Sequence, residues 1–277
     1  MRYISKTLKF INQNLLYLLL FSLPSAVLFT PHFDATQLSD LLLRLWGSTA
    51  LDSETINLFS IYSAAALVFN GRHFLLSLLS LLLPVLSLAL MFSYCDRRMR
   101  IGIASFRKPF EKLNETFMPV FVVCVVFFVM YELYVFLASC VLALTLLVGH
   151  LASQILMPVL IAGFFALYLM LMTVFVQWIP IMMIPGSSFA DSLAISAKSL
   201  QGRMGAVFVS LMFPFIMTFA LMLLARYYLD YLGIKYIIYV LCYAFQLMYV
   251  CCHSMVLFFD VSGRERVDQK SPYDFGR

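Results

Sequence analysis

Long apolar runs separated by short polar or charged stretches set the pattern of this chain. A helix needs about 20 predominantly apolar residues to cross roughly 30 Å of hydrocarbon. Six segments reach that length: 11–30, 74–95, 117–148, 152–182, 204–225 and 236–259. The third and fourth run long, which implies tilt or extension past the bilayer. Between 117 and 190 the only charged residue is Glu132, so hydrophobicity alone leaves six or seven spans open. Basic residues choose between them, because Lys and Arg collect on the cytoplasmic side. With six spans and the amino terminus inside, 15 of the 19 Lys and Arg fall inside, and Arg44, Arg72, Arg226 and Lys235 fall outside. A seventh span would leave 11 inside and 8 outside. The expected fold is therefore all-α: one polytopic membrane helix bundle over 1–260, with six transmembrane helices, both termini cytoplasmic and short interfacial helices.

Around the spans, the external connection 31–73 carries Leu41, Leu42, Leu43, Leu45 and Trp46, which predict a helix on the outer interface with Ser39 as its cap. The shorter apolar stretch 56–69 is placed in the same connection, as a surface or re-entrant helix. In the loop 96–116, Phe106, Phe110, Leu113 and Phe117 recur at helical spacing. In 186–203, Ser188-x-x-Asp191 has the form of a capping box. Leu193, Ala197, Leu200 and Met204 then share one helix face, with Ser192, Ser196, Ser199 and Arg203 elsewhere. The polar tail 261–277 is read as disordered. The basic, apolar amino terminus has the outline of a signal peptide, but no small-residue cleavage site closes it, so it is read as an uncleaved first span.

Composition agrees with this picture. The chain is 63% hydrophobic and 12% charged, with mean hydropathy +0.94. A soluble domain carries about 25% charged residues, so lipid must cover much of this one. The net charge of +5 follows from topology and does not point to nucleic acid. Six Cys lie in or beside apolar runs without a CxxC pair, and are read as free thiols.

Candidate chemistry is sparse. Glu132 lies within a span, where a carboxylate is costly and tends to be functional or paired. One reading is a proton or cation site with Tyr131 or Tyr134. The other puts Tyr131, Glu132 and Tyr134 in an aromatic belt near the outer interface. Cys242, Gln246, Tyr249 and His253 share one face of the sixth span. They line a substrate path or bond to neighbouring helices. Cys251, Cys252 and His253 are consecutive, so they point about 100° apart and do not converge on one metal. Pro24, Pro84 and Pro214 lie mid-span as bends or tolerated residues. No P-loop, GxSxG or HExxH motif is present. The loop after Asp191 also lacks the glycine and proline register of an importer permease. No catalytic residue, metal or cofactor is assigned.

Three stretches carry a likeness: Asn14–Tyr17 with Ser22–Pro24, the basic run Phe106–Phe110, and Ile184-Pro185 through Asp191–Leu193 and Ser196 to Gly202-Arg203. They resemble the YesL-like and YciC-like families of bacterial membrane proteins, which lack an established activity. The resemblance implies a multi-pass protein of the bacterial plasma (inner) membrane. The leading expectation is a non-enzymatic accessory or permease-like subunit. Its partner surface would be formed by cytoplasmic loops holding Arg97, Arg98, Arg100, Arg107, Lys108, Asp191, Lys198 and Arg203. The alternative is an autonomous small-solute or ion transporter using Glu132 and the sixth-span stripe. The partners expected are the bilayer and another membrane or cytoplasmic subunit.

Overall fold

A computed structural model of the chain describes residues 2–30, 40–41, 43–44, 58–66, 74–102, 108–148, 150–184, 188–229, 231–263 and 266–269. Ten helices organise them: α1 (Arg2–Gln13), α2 (Leu15–Phe29), α3 (Leu58–Ala65), α4 (Phe74–Ile101), α5 (Leu113–Thr145), α6 (His150–Phe175), α7 (Trp178–Met182), α8 (Phe189–Ser199), α9 (Met204–Tyr228) and α10 (Leu232–Val261). A helical turn, Lys108–Glu111, precedes α5. No strand occurs among the described residues. Phe106 lies outside them, and Leu113 and Phe117 belong to α5 rather than to a separate amphipathic helix.

The long helices pair in the order α2, α4, α5, α6, α9, α10 and back to α2, closing a ring, and α10 also packs on α4. Neighbours run antiparallel. Tyr94 near the end of α4 stacks on Tyr17 near the start of α2, and Phe29 at the end of α2 meets Tyr243 near the start of α10. The bundle thus has a terminal end, where α1 and residues 266–269 lie, and a far end, where Arg226 pairs with Asp40. The main core fills the terminal half, where Phe10, Leu18, Phe92, Met99, Met255 and Phe259 interlock.

Four helical stretches are long and apolar enough to cross a membrane: Leu113–Thr145, Gln154–Met182, Met204–Tyr228 and Leu232–Val261. A fifth is added if α1 and α2 form one bent span. The sequence pattern begins the first span at residue 11, but the structure puts a 91° bend between α1 and α2. Asn14 occupies that bend. Its Nδ2 donates to the Phe10 carbonyl at 2.9 Å, and its Oδ1 accepts from Tyr94 at 2.8 Å. Helix ends leave backbone carbonyls without partners, and here a side chain satisfies one. By contrast Pro24, Pro84 and Pro214 sit inside continuous helices.

One further expectation changes. Residues 266–269 are not a free tail. Val267–Gln269 forms a turn of 3-10 helix against α4. Arg266 forks onto Asp268 at 2.7 and 3.2 Å, and its guanidinium lies 5.5 Å above the Phe10 ring. Gly102, with φ +78°, ends α4 close enough to this segment that a Cβ there would meet Val267 at 3.1 Å. In α8 the serines face inward. Ser192 and Ser196 are fully buried beside Leu200, while Ile195 is exposed. Hydroxyl donors won this face because the neighbouring helix break offers acceptors.

Candidate functional site

That break lies between α6 and α7, at Val176 and Gln177, and frees the last carbonyls of α6. Ser196 donates to the Val174 carbonyl at 2.8 Å, and Ser254 of α10 donates to that of Val176. Ser199 donates to Gln177 Oε1 at 2.5 Å, and Trp178 Nε1 donates to Ser192 at 3.1 Å. Three of these bonds, at Ser192, Ser196 and Ser199, pin α8 beneath the bundle. Ser188 caps it by accepting from the Asp191 amide at 3.1 Å, as the capping-box pattern anticipates. Asp191, Ala194, Ile195 and Lys198 then form an exposed stripe at i, i+3, i+4 and i+7.

The other basic candidates are less uniform. Arg100 is tied to Asp96 at 2.8 Å. Arg98 donates to the Gly102 carbonyl, so it caps its own helix. Arg97 is half-buried on the same last turn, and Arg203 is exposed at the start of α9. Arg107 and the Lys108 side chain lie outside the described residues.

The sixth-span stripe is turned into the bundle against α9. Gln246 Nε2 donates to Thr218 Oγ1 at 2.6 Å. Tyr249 donates to the Ser210 carbonyl at 2.8 Å. That carbonyl is the one left without an intrahelical donor by Pro214, four residues on. His253 bridges three helices: Nε2 is 3.0 Å from Ser210 Oγ of α9 and Nδ1 is 3.3 Å from Thr7 Oγ1 of α1. Its ring stacks on Tyr249 with centroids 5.5 Å apart. Ser210 also donates to the Val207 carbonyl at 2.7 Å, so its proton is engaged. Cys242 alone of the stripe reaches the wall of a groove of about 810 Å³ between α9 and α10. Cys251 and Cys252 diverge from His253, and Cys252 Sγ lies 3.8 Å from Cys95 Sγ of α4. No three potential ligands converge on a metal position among the described residues.

Glu132 occupies a different environment. It sits on α5 opposite α3, and Tyr62 Oη donates to its Oε2 at 2.8 Å. Burial first, and then the bond to Glu132, push the Tyr62 hydroxyl up to about 12, so it stays protonated as a donor. Tyr131 donates to the Ala65 carbonyl at 2.7 Å, and Tyr134 donates to that of Phe164 on α6. Tyr168 joins the two rings, 5.5 Å from Tyr131 and 5.6 Å from Tyr134. Glu132, Tyr131 and Tyr134 are therefore brought into one layer with Tyr62 and Tyr168, and the stripe of α10 forms a second, separate site. The lone charge in an apolar run singled out Glu132 but not Tyr62, which lies 70 positions away on a short helix.

No protein-family model, curated protein or solved structure matches the chain. Its four to five candidate spans make it a multi-pass membrane protein.

Proposed function

We propose that the chain is a six-span, non-enzymatic accessory or permease-like subunit of a bacterial plasma-membrane complex, with the terminal end in the cytoplasm. The run from Phe74 to Cys95 in α4 has no charged side chain and supplies the span beyond the five counted above. The basic residues Arg97, Arg98, Arg100 and Arg203 lie at the terminal end, which supports that orientation. The observation that carries the subunit reading is the fastening of α8. Hydrogen bonds to α6 and α7 hold a short helix rigidly, while its Ile195 face and charged Asp191 and Lys198 stay open. Such a surface suits a partner helix groove.

Purification in mild detergent tests this reading. A second chain should co-elute in fixed proportion, and Ile195→Glu should release it without lowering the melting temperature. A protein that elutes alone, or a complex indifferent to Ile195→Glu, overturns it.

A second reading, an autonomous small-solute or ion transporter, rests on the Glu132–Tyr62 bond within the apolar part of α5. Unchanged flux in Glu132→Gln vesicles would remove it.

A further inference from the structure

The groove between α9 and α10 has a volume of about 810 Å³. Its α9 wall runs from Phe213 to Tyr228, about 22 Å of helix. Leu8 of α1 stands at its terminal end, and Leu229 and Ile238 at its far end. Of the wall residues, Thr218, Tyr228 and Cys242 alone carry a hydroxyl or thiol. Thr218 is committed, since its Oγ1 donates to the Pro214 carbonyl at 2.7 Å and accepts from Gln246 at 2.6 Å. A thiol is a weak hydrogen-bonding group, and Tyr228 belongs to the far end. A guest lying along this groove is therefore apolar for most of its length.

A membrane offers two such guests, a helix of another chain and the hydrocarbon of a lipid. Size separates them. Spread over its length, the groove has a cross-section of about 37 Å². A helix about 10–12 Å across with its side chains fills roughly 80–110 Å². The groove thus admits hydrocarbon chains and excludes a helix. One leaflet contributes about 15 Å of hydrocarbon depth, so the α9 wall is long enough to hold a whole acyl chain. Leu221, Leu224 and Leu241 are exposed on the walls, so the groove opens sideways to the bilayer.

The far end selects the head. Lys235 lies one turn before Ile238 on the same face of α10, half-buried, where the apolar run 236–259 begins. None of the ion pairs among the described residues includes it. Arg226, at the same end, is already tied to Asp40. Tyr228 and Tyr231 are exposed there, as tyrosines are at a membrane–water interface. From that level a Lys ammonium reaches the phosphate layer of the bilayer.

We propose that the α9–α10 groove holds an acyl chain of one anionic phospholipid, with its phosphate at Lys235 and Tyr228. The lipid completes the packing of α10 in the half where that helix is uncovered. This site stands apart from both the subunit and the transporter readings.

The full-length protein in detergent is incubated with equal amounts of phosphatidylglycerol and phosphatidylcholine and its bound lipid is counted by native mass spectrometry. One phosphatidylglycerol per chain is expected, favoured over phosphatidylcholine by about fivefold, the scale of one interfacial Lys. Lys235→Gln should abolish that preference and Lys235→Arg should keep it. Leu221→Trp and Leu241→Trp fill the groove from its two walls, and each should lower bound lipid by about tenfold or more. Leu167→Trp, on the exposed face of α6, should leave it unchanged, and with two groove variants a single misfolded protein does not decide the result. No retained phospholipid, equal retention of the two headgroups by the natural sequence, or full retention in both groove variants each overturns the site. So does a second protein chain, bound in place of the lipid and lost in the groove variants.

Discussion

The last helix and the α5–α6 pair are built from similar apolar sequence but live in opposite surroundings. In its most apolar stretch α10 is 72% buried, against 17% for α5 and 11% for the α6–α7 segment. The buried helix has the lower hydropathy, 1.7 against 2.6 and 2.5. The difference teaches where polar groups go in such a bundle. Inside, Gln246, Tyr249 and His253 each find a partner on α9 or α1. On the lipid-facing pair the polar groups collect at one layer, around Glu132, and at the α6–α7 break. Hydropathy is thus a guide to lipid exposure rather than to the core, the reverse of a soluble protein, because lipid tails are as apolar as the bundle interior.

The sharpest way to break this comparison is His253→Ala. It removes two hydrogen-bonding contacts and a stacked ring from a fully buried position, and should lower stability by about 3 kcal/mol. The readout is the melting midpoint in detergent. Gly102→Ala should follow at about 1–2 kcal/mol, since it forces a left-handed backbone and crowds Val267. Faster hydrogen exchange in 266–269 would confirm that the segment is held by this contact. Tyr62→Phe removes the donor to Glu132 and should cost about 1 kcal/mol. Exchange should then rise in α3 while α10 stays protected. The smallest effect is expected at Met170, exposed on α6, where Met170→Ala should stay within about 0.5 kcal/mol. Equal losses at Met170 and His253 would show that the α6 face is covered by a partner and not by lipid.

Much of the α10 site was legible because one helix carries it. Cys242, Gln246, Tyr249 and His253 follow helical spacing, and a polar stripe in an apolar helix must turn inward. Their partners were not legible. Ser210, Thr218 and Thr7 are ordinary residues whose role depends on which helices meet. The same holds for α8. Periodicity grouped Leu193 and Ala197 on one face and the serines on another, but not which face turns inward; the break at Val176 and Gln177 supplies acceptors that the serines meet. The break lies one turn before Pro180, whose missing amide leaves the Val176 carbonyl open, but no proline marks the bend at Asn14. Docking of Arg266 over Phe10 joins opposite ends of the chain and leaves no local trace either.

The sequence by itself determined that this is a helical, multi-pass membrane protein. Apolar run length and the scarcity of charge are local quantities, and lipid reads them one segment at a time. It also singled out Glu132, because a lone carboxylate in an apolar run stands out without any partner. Only the tertiary structure decided that α10 is the inner helix, that α1 lies across the terminal end, and that Glu132 meets Tyr62. Each of these depends on contacts between segments far apart in the chain. A polar atom removed from water takes whatever partner the packing brings within reach.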